Sequence, residues 1–131
     1  MIALDTNILA RLLLADDAAQ LVRVKALLAK KQTYTATVTV MLELVWVLEA
    51  NDCSPGEIEH GLGLLMGLSN FVPDRVLGIK EALTWYAQGM DFADALHLAL
   101  SADATQLLTF DKKFVKLAKS LDAGTVVAIV P

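Results

Sequence analysis

The sequence of 131 residues contains one cysteine, Cys53, and therefore no internal disulfide, as is typical of proteins from a reducing cytoplasm. It also lacks the run of about 20 apolar residues that a membrane-spanning helix needs. Arg11 and Glu43 interrupt the longest apolar stretches. No basic leader precedes the first apolar residues, which argues against a secretory signal. We therefore expect a cytoplasmic protein with no membrane segment.

Basic residues are scarce as well, with 11 Lys and Arg against 15 Asp and Glu and a formal net charge of −4. This balance argues against a protein that coats nucleic acid, because such proteins are usually basic. It does not exclude an enzyme that meets nucleic acid through a bound cation and a few local Lys and Arg side chains. The apolar fraction of 56% predicts a large core in one domain, residues 1–131.

Short apolar runs alternate with longer helical patterns, which predicts an α/β fold with a parallel sheet flanked by helices. Ser54-Pro55-Gly56-Glu57 has the pattern of a capping box at a helix start, and Thr39 is the predicted cap of the preceding helix. Strands are predicted at 2–5, 34–37, 71–73, 106–109 and 125–130. Helices are predicted at 6–14, 17–31, 40–50, 54–68, 74–88, 91–102 and 111–120.

Two carboxylates, Asp5 and Asp111, directly follow predicted strands. In open parallel sheets, functional groups collect just beyond the carboxyl ends of the strands. An Asp at such a position is also well suited to cap the helix that follows. Capping therefore remains an alternative for both residues, and Asp111 can serve both purposes.

Two further carboxylates, Glu43 and Asp94, interrupt helices that are otherwise apolar. The helix around Glu43 is apolar nearly all round, so we expect it to be buried. A buried Glu needs a cation, a hydrogen-bond network or an opening to solvent. The alternative is that Glu43 reaches solvent at the helix edge. Asp91 fits a helix cap, whereas Asp94, one turn deeper among Ala and Leu, fits a cap less well. His97, one turn further on, is expected to be packed and hydrogen-bonded.

The four acids Asp5, Glu43, Asp94 and Asp111 form a consistent pattern if they converge. Carboxylates packed within a few ångström repel one another. Such a cluster is stable only if it binds cations or takes up protons. Oxygen ligands favour Mg²⁺ or Mn²⁺, and no Cys/His spacing suggests zinc.

Four segments in this order resemble the PIN-domain ribonucleases, most closely the VapC toxins of bacterial toxin–antitoxin pairs. These segments are Leu4-Asp5-Thr6-Asn7, the apolar helix with Glu43 before Leu44-Val45-Trp46-Val47-Leu48, Asp91-Phe92-Ala93-Asp94-Ala95-Leu96, and Thr109-Phe110-Asp111-Lys112. The resemblance covers essentially the whole chain. It implies a single PIN domain with a parallel sheet of about four or five strands sandwiched by helices. The loop Ser101 to Gln106 lacks the glycine expected of such relatives.

The resemblance also implies a site and a function. Asp5, Glu43, Asp94 and Asp111 would be the catalytic acids, with Asp5, Asp94 and Asp111 binding Mg²⁺ or Mn²⁺. Asn7, Asp91 and Thr109 would support them. The implied activity is endonucleolytic hydrolysis of RNA, which leaves a 5′-phosphate because water is the nucleophile. The implied partners are a cognate antitoxin, which fills the active-site groove, and a second copy in a homodimer.

Positively charged side chains near these segments are candidate phosphate contacts. Arg11 follows Asn7 by about one helical turn, and Lys112, Lys116 and Lys119 recur along the last helix. The alternative for the lysines is a solvated helix face. The apolar residues between Leu62 and Leu68 suit the core, and they also suit an interface.

Three other functions are considered. A non-catalytic PIN-like binding or scaffolding module would have lost one or more acids, and all four are present. A phosphatase of the haloacid dehalogenase type usually has a second Asp two residues after the first, where this chain has Asn7. A PIN-type nuclease that acts on DNA would have the same metal site, and the sequence does not separate it from a ribonuclease.

Overall fold

Seven helices and four short strands alternate along the chain, and a computed structural model describes all residues from Met1 to Pro131. The chain forms two compact units, unit 1 (Met1–Val76) and unit 2 (Leu77–Pro131). The elements are β1 (Ile2–Ala3), α1 (Thr6–Leu14), α2 (Ala18–Leu28), β2 (Tyr34–Thr35), α3 (Val38–Ala50), α4 (Pro55–Met66), α5 (Val76–Ala87), α6 (Phe92–Leu100), β3 (Gln106–Thr109), α7 (Lys112–Ser120) and β4 (Val126–Ile129). None of the seven helices combines the length and apolarity that crossing a membrane requires.

The strands of each unit pair in parallel. In unit 1, β1 pairs with β2 in the register Ile2↔Tyr34, and in unit 2, β3 pairs with β4 in the register Gln106↔Val126. The prediction of an α/β fold with parallel strands is confirmed, and the four short strands lie at the lower end of the predicted four or five. The hydrogen bonds link the strands as two separate pairs, whereas one sheet was predicted.

The predicted strand at residues 71–73 is reduced to a single parallel bridge between Tyr34 and Phe71. The backbone N–H of Val72 donates to the carbonyl of Tyr34 at 3.0 Å, and that of Asp74 to the carbonyl of Ala36 at 2.9 Å. Pro73 has no N–H to donate and so limits this ladder. The segment therefore runs beside β2 without forming a regular strand.

The core of unit 1 lies where α3 packs against α1 on one side and against α4 on another. Tyr34 is fully buried, and its hydroxyl donates to the carbonyl of Leu27 at 2.6 Å, which satisfies its polar atom. The other large buried side chains of unit 1 are Leu9, Met41, Leu44, Val45, Ile58, Leu62 and Phe71. This packing fixes α1 and α3, the two helices that carry or follow the acids of unit 1.

The expectation that the helix around Glu43 is buried on all sides is wrong. One face of α3 is buried, with Leu44 and Leu48 in the core, while Glu43 is exposed and 51% of Trp46 is exposed. Residues three and four apart share one face of a helix, and the apolar composition of this segment does not show which face meets the core. The helix also begins earlier than predicted, because the hydroxyl of Thr37, and not Thr39, accepts from the backbone N–H of Val40.

The predicted capping box at the start of α4 is confirmed. The hydroxyl of Ser54 accepts from the backbone N–H of Glu57 at 3.2 Å, and the Glu57 carboxylate accepts from the backbone N–H of Ser54 at 2.9 Å. Further along this helix, Leu62 and Leu65 are buried, whereas 62% of Leu64 is exposed. The segment 62–68 therefore contributes to the core and also presents apolar surface.

Removal of the Ser54 hydroxyl by Ser54→Ala is expected to lower the free energy of unfolding by about 1 kcal/mol, or the Tm by roughly 4 °C, because the backbone N–H of Glu57 loses its acceptor. The backbone N–H and the hydroxyl of Ser54 lower the pKa of Glu57. Because its pKa is lowered on folding, Glu57 stabilises the fold above pH 4.5, its ordinary pKa, and this stabilisation is lost as the pH falls below that value. Thermal melts at pH 7 and pH 3 should therefore differ less for the variant than for the parent. The exposed Ser69→Ala is the matched control, and equal melting of Ser54→Ala and the parent would contradict the assignment.

Unit 2 is built around α5 and α6. The rings of Tyr86 and Phe92 meet edge to face, with centroids 5.5 Å apart. Gly89, the predicted stop after α5, has φ of +110°, a conformation that L side chains rarely adopt. The loop from Ser101 to Gln106 contains no residue with positive φ, which explains why it needs no glycine.

Candidate active site

In unit 1, Asp5 and Glu43 are both linked to Thr6. Asp5 caps α1, and one of its carboxylate oxygens accepts from the backbone N–H of Thr6 at 2.7 Å. The hydroxyl of Thr6 donates to the Glu43 carboxylate at 3.1 Å, across 37 residues of sequence. Thr6 is 5% exposed, while both acids are exposed. We call Asp5 and Glu43 the unit 1 pair.

This arrangement decides between the alternatives left open for the unit 1 pair. Asp5 does cap a helix, but only Oδ1 is used for the cap, so Oδ2 is available to a ligand. Glu43 reaches solvent and is also held by a hydrogen bond. Thr6 was not singled out from the sequence. Only its position between a strand-end Asp and the first helical turn could have pointed to Thr6, because its partner Glu43 lies 37 residues away in the sequence.

In unit 2, Asp91, Asp94 and Asp111 form an acidic cluster, which we call the unit 2 triad. Asp91 caps α6, and its carboxylate accepts from the backbone N–H of Asp94 at 3.1 Å. Burial, followed by the negative charges of Asp91 and Asp111, raises the pKa of Asp94. Asp91 and Asp111 are thus close enough to Asp94 to disfavour its charge. This repulsion occurs although the start of a helix favours a negative charge.

Asp111 and its neighbour Thr109 are locally ordered. Asp111 caps α7 by accepting from the backbone N–H of Phe114 at 3.1 Å, and its own N–H donates to the hydroxyl of Thr109 at 3.1 Å. His97 was expected to be packed, but it is exposed, because it lies on the outer side of α6. Its charge lowers the pKa of Asp94, the smallest of the four effects on that group.

The donor chemistry of these groups fits a hard divalent cation, although neither unit by itself holds three or more metal-binding side chains arranged around one point. All candidate ligands are carboxylate oxygens, which Mg²⁺ and Mn²⁺ prefer. The raised pKa of Asp94 reports a region of negative potential that a cation would relieve. Zinc is not favoured, because His97 is the only His or Cys that interacts with the unit 2 triad.

The remaining predicted residues lie on the surface. The Arg11 guanidinium pairs with the Asp16 carboxylate at 2.7 Å, so another residue of unit 1 fixes its orientation. Asn7 is exposed, and it lines a cavity together with Arg11. The candidate phosphate contacts on α7 are all exposed; they are Lys112, Lys116 and Lys119.

Comparison with protein-family models matches the PIN domain over residues 2–120. A search of curated proteins found no matching relative. The matched region contains the unit 1 pair and the unit 2 triad, and only the last residues, with β4, lie beyond it. PIN domains are generally metal-dependent nucleases, which agrees with exposed carboxylates at the ends of two strands. The chain belongs to the PIN-domain family.

Proposed function

We propose that this chain is an Mg²⁺- or Mn²⁺-dependent endoribonuclease and the toxin of a toxin–antitoxin pair of the VapC kind. The observation that carries the proposal is the unit 2 triad, where burial and neighbouring negative charges raise the pKa of Asp94 within a PIN domain. A group in that setting gains most from a cation. In unit 2, Asp94 and Asp111 would hold the metal, which when bound would polarise the phosphodiester and lower the pKa of a water molecule.

The residues of the chain have separate tasks in this proposal. Glu43, held by the Thr6 hydroxyl, orients the attacking water and accepts its proton. Asp91 fixes the first turn of α6 and thereby the backbone of Asp94. Thr109 fixes the backbone of Asp111 through its hydroxyl. The caps at Asp5 and Asp111 each leave one carboxylate oxygen for the reaction.

A single-stranded substrate is favoured by the surface next to Asp111. Phe110 is 83% exposed, and such a ring offers a stacking surface for an unpaired base. Lys112 and Lys116 follow on α7 and are exposed, where they can contact phosphates. RNA with unpaired loops presents both features together.

A cleavage assay tests the proposed activity. The protein is incubated with single-stranded RNA and with DNA of the same sequence, each with Mg²⁺, Mn²⁺ or EDTA. We expect cleavage of RNA with either metal, none in EDTA, and products that carry a 5′-phosphate and a 3′-hydroxyl. A 2′,3′-cyclic phosphate product would contradict water as the nucleophile. Cleavage of DNA alone would make the chain a DNA nuclease, and binding without cleavage would make it a non-catalytic module.

The partners belong to the same proposal. The homodimer and the antitoxin are what the resemblance to VapC toxins implies, and in unit 1 the exposed side chains of Trp46 and Leu64 are available to an interface. We expect a homodimer in sedimentation equilibrium and arrest of growth when the chain is expressed without its antitoxin. Growth at the normal rate under strong expression would contradict the toxin role.

A further inference from the structure

A groove of unit 1 is not used by the proposed chemistry. Helices α1 and α2 pack against each other and leave a cavity of about 360 Å³. This volume lies at the lower end of the range found for small-molecule sites. The floor of the groove is apolar, formed by Ile8, Val24 and Leu27. Val24 is 5% exposed and the other two are half-buried, so the floor is a fixed surface that suits the face of an aromatic ring.

The rim of the groove carries two positive charges. Arg11 and Arg23 are two of only three arginines in the chain, and they stand on the two helices that form the groove. Arg11 is oriented by its ion pair with Asp16, whereas Arg23 is exposed and makes no ion pair. Guanidinium groups bind phosphate oxygens with two parallel hydrogen bonds. Asp16 balances the charge of Arg11, so the unpaired guanidinium of Arg23 supplies the free positive charge beside this cavity and favours an anionic ligand.

The rest of the rim consists of two carboxamides, Asn7 and Gln20. A carboxamide has both donors and acceptors and can therefore pair with the edge of a nucleobase. Asn7 lies two residues after Asp5, about 3 Å along the axis of α1. One end of the groove therefore lies beside the acid that caps this helix.

We propose that this groove binds one unpaired nucleotide of the substrate RNA, next to the phosphodiester that is cut. The base lies on the apolar floor, Asn7 and Gln20 contact its edge, and Arg11 and Arg23 hold its phosphate. The inference rests on the proposed ribonuclease function and adds a position at which the enzyme selects sequence. An apolar helix from a protein partner would cover the floor and leave the free guanidinium of Arg23 without an anion, so the test includes such a helix.

The test follows the methyl groups of Ile8, Val24 and Leu27 by NMR while the four nucleoside 5′-monophosphates are added in EDTA. Inorganic phosphate and ribose 5-phosphate are run beside them. We expect at least one nucleotide to shift these methyl signals, with inorganic phosphate much weaker. Arg23→Gln should weaken that nucleotide about tenfold and reduce the salt dependence of its binding. Arg75→Gln, at the one arginine outside the groove, is the matched control and should bind as the parent does.

Three results would overturn the proposal. The first is that all four nucleotides at 10 mM leave the methyl signals unmoved, and the second is that Arg23→Gln binds them as the parent does. Shifts produced by an amphipathic Leu/Lys helix, with none from the nucleotides, would assign the groove to a protein partner.

Cleavage measurements separate this inference from the proposed activity. On a randomised RNA pool, Gln20→Ala should flatten the base preference at one position, and Arg23→Gln should raise KM about tenfold with little change in kcat. Active protein with unchanged preference in both variants would overturn the groove assignment and leave the ribonuclease intact. Nucleotide binding by a protein that cuts no RNA would remove the proposed function while the groove remains a nucleotide site.

Discussion

Asp94→Asn is expected to reduce RNA cleavage at least 100-fold while the metal-free protein melts at the same temperature as the parent or slightly higher. Burial and the charges of Asp91 and Asp111 raise the pKa of Asp94, so its ionised form is disfavoured in the folded state. Asn has nearly the same shape and no charge, and it therefore relieves this repulsion. Loss of activity without loss of stability is expected of a residue whose charge is needed for function but is unfavourable for folding.

The pH dependence of stability follows from the same pKa. A carboxyl whose pKa is raised on folding binds its proton more tightly in the folded state than in the unfolded state, so stability falls as the pH rises above the ordinary value of 3.8. The stability difference between Asp94→Asn and the metal-free parent should therefore grow from pH 3 to pH 7. We expect it to stay below about 1 kcal/mol, because water and salt screen partly exposed charges.

Metal addition reverses the order of stability. Mn²⁺ at saturating concentration should raise the Tm of the parent by mass action and leave that of Asp94→Asn nearly unchanged. Asp103→Asn, at an exposed Asp in the loop after α6, is the control and should behave as the parent in every assay. Full activity in Asp94→Asn, or metal stabilisation equal to that of the parent, would remove Asp94 from the site.

Local chemistry made parts of this fold predictable from the sequence. The capping box at Ser54 and Glu57 needs only residues three apart, and its structure is the one predicted. The bounds of α1 and β3 are also as predicted. Asp5 caps the start of α1, and polar residues stand at both ends of β3. The cap of α3 was misplaced because Thr37 and Thr39 are both suitable, and their hydroxyls lie 2.9 Å apart.

Contacts between distant segments were not predictable in the same way. The exposure of Glu43 depends on which face of α3 meets the core, and the apolar composition of that helix conceals the choice. The bond from Thr6 to Glu43 joins residues 37 apart. The α1–α2 groove depends on helix packing, so Gln20 and Arg23 had no signal in the sequence beyond their charge or polarity. The sequence thus indicated the candidate acids, and the structure adds the hydrogen bonds that hold them.

Glu43→Gln is expected to lower the rate of RNA cleavage about 100-fold with little change in the free energy of unfolding. The Gln carbonyl can still accept the hydrogen bond from the Thr6 hydroxyl, so a purely structural role of Glu43 would survive the change. The negative charge and the proton-accepting group are lost, so a role in the reaction would not survive. Glu81→Gln, at an exposed Glu of α5, is the control for the change in net charge. Unchanged cleavage by Glu43→Gln would limit Glu43 to a structural role.

Thr6→Val separates positioning from chemistry in the unit 1 pair. Val has nearly the same volume at this buried position but no hydroxyl, so Glu43 keeps its charge and loses its donor. We expect a several-fold loss in kcat, because the Glu43 carboxylate is no longer held by the Thr6 hydroxyl. A loss as large as that of Glu43→Gln would instead mean that Thr6 itself contacts the reacting groups.

The double variant Glu43→Gln, Asp94→Asn tests whether the acids of both units serve one reaction. Residues that act as a unit in catalysis are strongly non-additive, because removal of one already abolishes the step that the other assists. We therefore expect the double variant to cleave RNA no more slowly than the slower single variant. Losses that multiply, to about 10⁴-fold, would indicate that Glu43 and Asp94 contribute independently. In that case the unit 2 triad would remain the candidate metal site, and Glu43 would act elsewhere on the substrate.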